Sequence, residues 1–285
     1  FGGANLLDAM ATSEGGSAHR SEHAPFVRDD QYGVMGHAKQ GLGERIRLGL
    51  ASLVLFPSRL FTSVVLLLAF YSVCVVFPVS SNVNRVALSL LARAILLVIG
   101  FVNIRVHTKG KCHLWKSVDS PAAGVVSNHV GWADILILCW LFSPSFIARK
   151  ATTQTPIVGR VSRAMECLYV ERAQEREKAS RSGAAATAKP SRKGGLAEQL
   201  QDRMKRSSGE KGGRPVVIFA EGTTTNGDFI LPFKSGAFLA GVPLTLVIIS
   251  YDYKRVSPAW ESVSGFRHLL LMLCEPVHRA SVTIM

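Results

Sequence analysis

Cysteine is scarce in this sequence of 285 residues, which holds five, at positions 74, 112, 139, 167 and 274. Their number is odd, their spacing is wide, and no two of them form a C-x-x-C pair. This pattern excludes a disulfide framework and a structural zinc site, so we expect reduced thiols in the cytosol. The chain also lacks a G-x-S-x-G stretch, which excludes a serine nucleophile of the α/β-hydrolase type.

Acidic residues are few as well, since 20 Asp and Glu stand against 33 Lys and Arg, for a formal net charge of +13. Much of the excess lies in a basic insertion, about residues 173–214, which contains no aromatic residue that could stack on a base. Without a zinc-finger spacing or an RNA-binding signature, the sequence excludes nucleic acid as a partner. We expect the insertion to be a solvated loop enclosing one short helix, residues 196–205.

Long apolar runs are abundant, in a chain that is 48% hydrophobic. Residues 60–79 contain no charge and are long enough to cross roughly 30 Å of hydrocarbon, although a buried core helix is the alternative. Residues 86–102 carry Arg93 near their middle, which disfavours a full crossing. Because basic residues concentrate on the two outer flanks, we expect a helical hairpin or re-entrant pair, residues 44–104, that anchors a cytosolic domain at the membrane.

Beyond residue 104 the sequence changes to short apolar runs separated by turn signals and helical patterns, which predicts an α/β domain over residues 105–285. Strands are predicted at residues 122–127, 167–171, 214–220 and 242–251, and a helix at residues 132–142. We expect residues 1–43 to form a flexible tail. Because the chain starts at Phe1 and stops at Met285, we also expect that it is a fragment.

The stretch SNHVGWADILIL, residues 127–138, places His129 and Asp134 at the start of an apolar segment. An unpaired charge buried there costs several kcal/mol, so each side chain needs a partner. Neither a helix nor a strand would bring two residues five positions apart together, but a turn at Gly131 would. A histidine held by a carboxylate can take a proton from a hydroxyl. The alternative is that Asp134 caps the helix and His129 is a loop histidine.

A second stretch, VVIFAEGTTTNG, predicts a strand that runs into Glu221, Gly222 and Thr223. A glycine at a strand end lets backbone N–H groups converge on an anion or on a developing oxyanion. The Glu221 carboxylate could bind a polar headgroup. The alternative is an ordinary turn at a strand end.

Four stretches, in this order, resemble the four motifs of the glycerolipid acyltransferase family: NHVGWAD, PIVGRVSRAMECLYVER, FAEGTTTNG and GVPLTLVII. The likeness is greatest to the lysophosphatidylcholine and lysophosphatidylethanolamine acyltransferases. It implies a mixed sheet flanked by helices, preceded by an N-terminal helical membrane anchor. It also implies transfer of a fatty acyl chain from acyl-CoA to the free hydroxyl of a lysophospholipid, without a metal or other cofactor, at the endoplasmic reticulum membrane with the domain facing the cytosol.

The resemblance implies a role for each motif residue. His129 would be the general base and Asp134 its orienting partner, while Arg172 would bind a phosphate of the acceptor or of CoA. The remaining three residues, in the third motif, would line the acceptor site: Glu221, Gly222 and Thr223.

The sequence departs from the family pattern at three positions. The proline that usually precedes the third-motif glutamate is Ala220, and a proline of the fourth motif is Leu246. Enzymes that act on glycerol 3-phosphate or lysophosphatidic acid usually have an arginine after E-G-T, where this chain has Thr224. That difference favours a zwitterionic lysophospholipid. The alternatives are a 1-acylglycerol-3-phosphate acyltransferase, a membrane hydrolase in which His129 activates water, and a non-catalytic lipid-binding scaffold.

Overall fold

The computed structural model describes residues 24–77, 81–109, 123–170, 196–209 and 214–285. Its helices are α1 (Leu42–Val76), α2 (Asn82–Ile99), α3 (Trp132–Phe142), α4 (Pro156–Ala164), α5 (Leu196–Gly209) and α6 (Gly265–Cys274). Its strands are β1 (Asn103–Thr108), β2 (Gly124–Ser127), β3 (Ser145–Arg149), β4 (Leu168–Val170), β5 (Val216–Phe219), β6 (Leu244–Asp252) and β7 (Arg279–Ile284).

The strands of the described residues form one sheet in the order β1-β7-β6-β2-β5-β3-β4. Strands β6, β2, β5, β3 and β4 are mutually parallel, whereas β7 runs antiparallel to β6 and parallel to β1. The mixed sheet flanked by helices is therefore confirmed. Because five parallel strands end at the same edge, the residues that follow them collect there, and this edge is the usual position of a site in α/β folds.

The core packs tightly around β2, whose four residues are all buried. A Cβ on Gly124 would lie 2.5 Å from Met204 Cε and 2.8 Å from Leu244 Cδ2, so glycine is needed for α5 to approach the sheet. Leu200 and Met204 of α5 are buried in the cluster that covers this face. The predicted helix at residues 196–205 thus extends to Gly209, and it belongs to the packed domain rather than to a solvated loop.

The predicted strands correspond to observed strands with ends that differ by a few residues, and the helix predicted at residues 132–142 has the predicted ends. The sequence did not predict β1, β3, β7, α4 or α6. β3 has no strict apolar alternation, so its place in the sheet depends on its neighbours β5 and β4 rather than on its own pattern.

Helices α1 and α2 are long and apolar enough to cross a membrane, judged by length and composition alone. α1 begins at Leu42, well before the apolar run at residues 60–79. Only Ala51, Phe70 and Cys74 of this helix are buried, and large exposed apolar residues occur along its whole length. They include Leu42, Ile46, Leu50, Leu53, Phe61, Val64, Leu68 and Val75.

Both ends of α2 contact the α/β domain. Near its start, Asn84 is fully buried and its Oδ1 accepts a hydrogen bond of 2.7 Å from Arg214. In the middle, Ser89 donates to the carbonyl of Trp140 on α3 at 2.5 Å. Arg93 packs over the Trp140 ring at 5.0 Å, and its guanidinium donates to the carbonyl oxygens of residues 101 and 102. The Arg93 side chain, whose charge disfavours a membrane crossing, therefore stabilises the packing of α2 against the domain.

Residues 24–41 lie across the α/β domain as a strap. The guanidinium of Arg28 pairs with Asp30, and both side chains are inaccessible to solvent. Asp30 also accepts hydrogen bonds from the backbone N–H groups of Ser257 and Tyr32, at 2.7 and 2.9 Å. This packing involves residues for which the sequence predicts a flexible tail, and no local pattern in them indicates it.

Candidate active site

His129 and Asp134 meet at the carboxyl end of β2. His129 follows this strand by two residues, and the chain then turns through Gly131 into α3. The distance from His129 Nδ1 to Asp134 Oδ2 is 2.9 Å. A Cβ on Gly131 would lie 2.6 Å from the carbonyl oxygen of Pro258, so a larger residue in this turn would collide with the loop that contains Pro258.

The Asp134 carboxylate is fully buried and also caps α3. Its Oδ2 accepts the backbone N–H groups of Val130 and Gly131 at 2.6 and 2.9 Å. From the sequence, a helix cap and a contact with His129 were alternative roles for Asp134. In the structure the carboxylate has both roles. Because a carboxylate can only accept, the hydrogen on His129 lies on Nδ1 and the lone pair on Nε2.

The His129 ring is held on its face as well as at its edge. It stacks on Phe219, the last residue of β5, with ring centroids 3.8 Å apart and an interplanar angle of 11°. The backbone carbonyl of His129 accepts a hydrogen bond of 2.8 Å from the N–H of Thr225. The His129 side chain keeps 18% of its surface exposed, so one edge of the ring faces outward.

Tyr251, near the end of β6, is a partner of Asp134 that the sequence reading missed. Its hydroxyl donates to Asp134 Oδ1, the carboxylate oxygen that does not contact His129. In the sheet register Ser127 pairs with Val247, so Tyr251 lies beyond the end of β2, beside the turn that carries His129. Only the alignment of β2 and β6 brings these residues together, because they are 117 positions apart.

Trp132, in the first turn of α3, fixes the helix from the other side. Its indole N–H donates to Nε2 of buried His268 at 3.0 Å. Burial lowers the pKa of His268 to about 3, with a smaller effect from the nearby charge of Arg28. His268 therefore stays neutral at physiological pH and keeps an unprotonated ring nitrogen for Trp132.

Glu221 lies at the end of β5, one strand away from His129. It is 5% exposed, and its Oε2 accepts the backbone N–H of Leu231 at 2.9 Å. Its other oxygen, Oε1, is buried and has no hydrogen-bond partner among the described residues. A buried carboxylate oxygen without a donor is unfavourable, so this position can accept a hydrogen bond from a ligand.

Gly222 has φ of 73°, in the left-handed region that favours glycine. A Cβ there would lie 2.7 Å from Lys234 Cε, so the lysine side chain lies against the glycine backbone. The N–H of Gly222 donates to the carbonyl of Phe219 at 2.9 Å, which closes the turn. This N–H is therefore engaged within the protein, and the role of the turn in binding an anion stays a prediction. Thr223 follows and is half-buried.

Thr224, the residue that replaces the arginine typical of phosphomonoester enzymes, points into the domain. It is 6% exposed, and its hydroxyl contacts the carboxylate of Glu261. The indole N–H of Trp260 donates to the same hydroxyl at 3.3 Å. The side chain at this position is thus a neutral group beside an acidic one.

Arg172, the residue expected to bind phosphate, lies outside the described residues. The strand before it, β4, is parallel to β3 and ends at Val170. In the part of the chain that the structure describes, no cluster of three or more His, Cys, Asp or Glu could hold a metal ion. The expectation that the enzyme needs no cofactor stays a prediction.

Comparison with known proteins decides the family. A family model described as Acyltransferase matches residues 104–253, more than half of the chain. The chain belongs to the acyltransferase family. It is 31% identical to a lysophospholipid acyltransferase of Arabidopsis thaliana, over 91% of this chain and 73% of that protein. It is 28% identical to lysophosphatidylcholine acyltransferase 2 of Mus musculus, over 85% of this chain and 43% of that protein.

One solved structure is also similar to this acyltransferase. The 1-acyl-sn-glycerophosphate acyltransferase of Thermotoga maritima aligns with 80% of this chain and 85% of that chain, at 18% identity and a TM-score of 0.36. The chain spans less than half of the length of the mouse relative and about three quarters of the length of the plant relative.

Proposed function

We propose that this acyltransferase transfers a fatty acyl chain from acyl-CoA to the free hydroxyl of a lysophospholipid, with His129 as the general base. The observation that carries the proposal is the hydrogen bond between His129 Nδ1 and the buried carboxylate of Asp134. It leaves Nε2 as the basic atom of the imidazole. The structure shows no hydrogen bond between Nε2 and a described residue, and the side chain is 18% exposed, so Nε2 is the ring atom that can accept a substrate hydroxyl.

The proposed reaction is a direct acyl transfer. His129 Nε2 takes the proton of the acceptor hydroxyl while the hydroxyl oxygen bonds to the thioester carbonyl carbon. The carbon–sulfur bond of the tetrahedral intermediate then breaks, and the CoA thiolate takes up the proton from His129. The imidazolium that exists between these steps is stabilised by Asp134, which also fixes the ring orientation. No covalent enzyme intermediate is needed.

The acceptor would bind along the strand ends next to His129. Glu221 Oε1 would accept a hydrogen bond from a hydroxyl or amine of the acceptor, which would supply the donor that this buried oxygen lacks among the described residues. Gly222 and Thr223 would line the same position. Arg172 would contact phosphate in the acceptor or in CoA, and a charge-assisted contact of this kind contributes about 1.5–3 kcal/mol.

A zwitterionic acceptor suits position 224 better than a phosphomonoester does. A phosphomonoester carries close to two negative charges, whereas a phosphodiester headgroup carries one that an amine balances. Thr224 is neutral and lies beside Glu261, so it supplies no positive charge to stabilise the second negative charge of a phosphomonoester. The names of the plant and mouse relatives also point to lysophospholipid acceptors.

We expect membranes that contain the wild-type chain to acylate lysophosphatidylethanolamine or lysophosphatidylcholine with a kcat/KM at least about tenfold above that for lysophosphatidic acid. A tenfold preference corresponds to about 1.4 kcal/mol of differential binding in the transition state. The measurement is product formation from radiolabelled acyl-CoA with each acceptor in turn.

Membranes with equal amounts of a His129→Ala variant are the control for host enzymes. Lysophosphatidic acid as the best acceptor would favour the phosphomonoester alternative. Fatty acid release that requires His129 but no acceptor would indicate a hydrolase. No transfer to any acceptor would leave the scaffold alternative.

We further propose that the helical pair lies along the α/β domain within one leaflet and does not cross the bilayer. A connection on the far side of a membrane could not contact a cytosolic domain, yet Asn84, two residues into α2, is buried against Arg214. The exposed apolar side chains of α1 would face the lipid, while Arg59 of the same helix donates to the carbonyl oxygens of Leu273, Glu275 and Pro276.

A glycosylation acceptor sequence inserted in the connection between α1 and α2 should therefore stay unmodified when the protein is made in the presence of microsomes. The same acceptor sequence in a secreted reporter shows that modification works in that preparation. Glycosylation of the connection would place it in the lumen and would show that α1 crosses the bilayer.

A further inference from the structure

The Asp134 carboxylate divides its contacts between two groups of donors. Oδ2 accepts from His129 and from the turn that carries it, whereas Oδ1 accepts from Tyr251. Among the described residues, Tyr251 supplies the one donor to Oδ1. Because Asp134 is fully buried, water is not available to replace that donor.

Tyr251 also separates Asp134 from an open cleft. The Tyr251 ring is half-buried and lines a cleft of about 290 Å³ between the end of β6 and the start of β7. Its walls carry charged side chains, among them Lys254, Arg255 and Glu275. The phenol therefore keeps these charges and solvent away from the back of the carboxylate while its hydroxyl donates to it.

We propose that Tyr251 is a positioning residue of the transfer reaction, which holds the Asp134 carboxylate in the rotamer that orients His129. The inference rests on the proposed role of His129 as base. Asp134 is an aspartate whose terminal torsion is intrinsically broad, so contacts at both oxygens are needed to fix its plane. Rotation of the carboxylate about the Cβ–Cγ bond moves both oxygens, so the donor on Oδ1 opposes this rotation together with the donors on Oδ2.

The protonation state of Tyr251 suits this role. Burial, and then the negative charge of Asp134, raise the pKa of Tyr251 well above its ordinary value. The hydroxyl therefore remains a donor over the pH range in which the enzyme works. It acts through Asp134 and does not itself need to contact the substrate.

The test is Tyr251→Phe, which keeps the ring against the cleft and removes only the hydroxyl. We expect kcat to fall by roughly 10- to 100-fold, while KM for acyl-CoA and for the lysophospholipid changes less than about threefold, because the loss lies in the orientation of the base rather than in binding. Tyr253→Phe is the matched control. Tyr253, two residues after Tyr251, lines the same cleft. Its hydroxyl donates to the backbone carbonyl of Asp29 at 3.3 Å rather than to Asp134.

A double-mutant cycle with Asp134→Asn separates positioning from a general effect on structure. If Tyr251 acts through Asp134, adding Tyr251→Phe to Asp134→Asn should lower kcat by less than about threefold further. The inference would be overturned if Tyr251→Phe lowered kcat in the Asp134→Asn background by as much as it does in the wild-type background. It would also be overturned if Tyr251→Phe alone left kcat unchanged. Retained activity in His129→Ala would instead overturn the proposed function, so the two failures are distinguishable.

Discussion

Replacing His129 by alanine should lower kcat/KM for acyl transfer by about 10²–10⁴-fold, the loss typical of a missing general base. Without the imidazole no group at the end of β2 can take the proton of the acceptor hydroxyl. The variant should remain folded, because Asp134 keeps its backbone donors at Val130 and Gly131 and thus still caps α3. The measurement is transfer from labelled acyl-CoA to the preferred acceptor, with protein levels matched.

His107→Ala is the matched control for this substitution. His107 is exposed on β1, at the opposite end of the sheet order from β4 and three strands from β2. Its replacement should leave kcat/KM within about twofold of wild type, since surface substitutions away from a site have small effects. A His129→Ala variant as active as His107→Ala would contradict the assignment of the base.

Replacing Arg28 by methionine should lower the free energy of unfolding by about 3 kcal/mol, within the range for a buried ion pair that loses one partner. Asp30 would remain buried without its cationic partner and with the two backbone donors as its described partners. For a domain of this size the loss corresponds to a decrease in Tm of roughly 6–12 °C. Thermal unfolding of the detergent-solubilised protein measures it.

The neighbouring substitution Asp29→Asn tests whether the effect is specific to the buried pair. Asp29 is exposed, and its replacement should change Tm by less than about 2 °C. A similarly small decrease for Arg28→Met would mean that the strap contributes little to stability. A large decrease should also reduce activity, because the strap accepts hydrogen bonds from Asn226 of the third motif at the carbonyl oxygens of Ala24 and Val27.

Much of the candidate site could be predicted from local features of the sequence. The turn at Gly131 explains why His129 and Asp134 meet, and it requires only residues within six positions of one another. The third motif likewise ends a strand that its own apolar run predicts. The helix at residues 132–142 was predicted with the observed ends because its apolar run is bounded by a turn on each side.

The predictions were incomplete wherever the signal was not local. The helix within the basic insertion was expected in solvent, but Leu200 and Met204 are buried because Gly124 lets α5 approach the sheet. The sequence indicated a glycine turn at the end of a strand, but it did not indicate that the Gly222 N–H closes this turn onto Phe219. Neither outcome follows from composition, since each depends on which neighbouring atoms complete the packing or the hydrogen bond.

Short stretches of sequence were enough to predict the α/β character of the domain, the pair of apolar helices and the histidine–aspartate turn, because hydrophobic periodicity, uncharged runs and glycine placement act over a few residues. Three features arise only from tertiary packing: the contact of Tyr251 with Asp134, the burial of Asn84 against Arg214, and the packing of residues 24–41 across the domain. These contacts join residues up to 234 positions apart. Their formation depends on strand order and on buried donors finding acceptors, which no short stretch of sequence specifies.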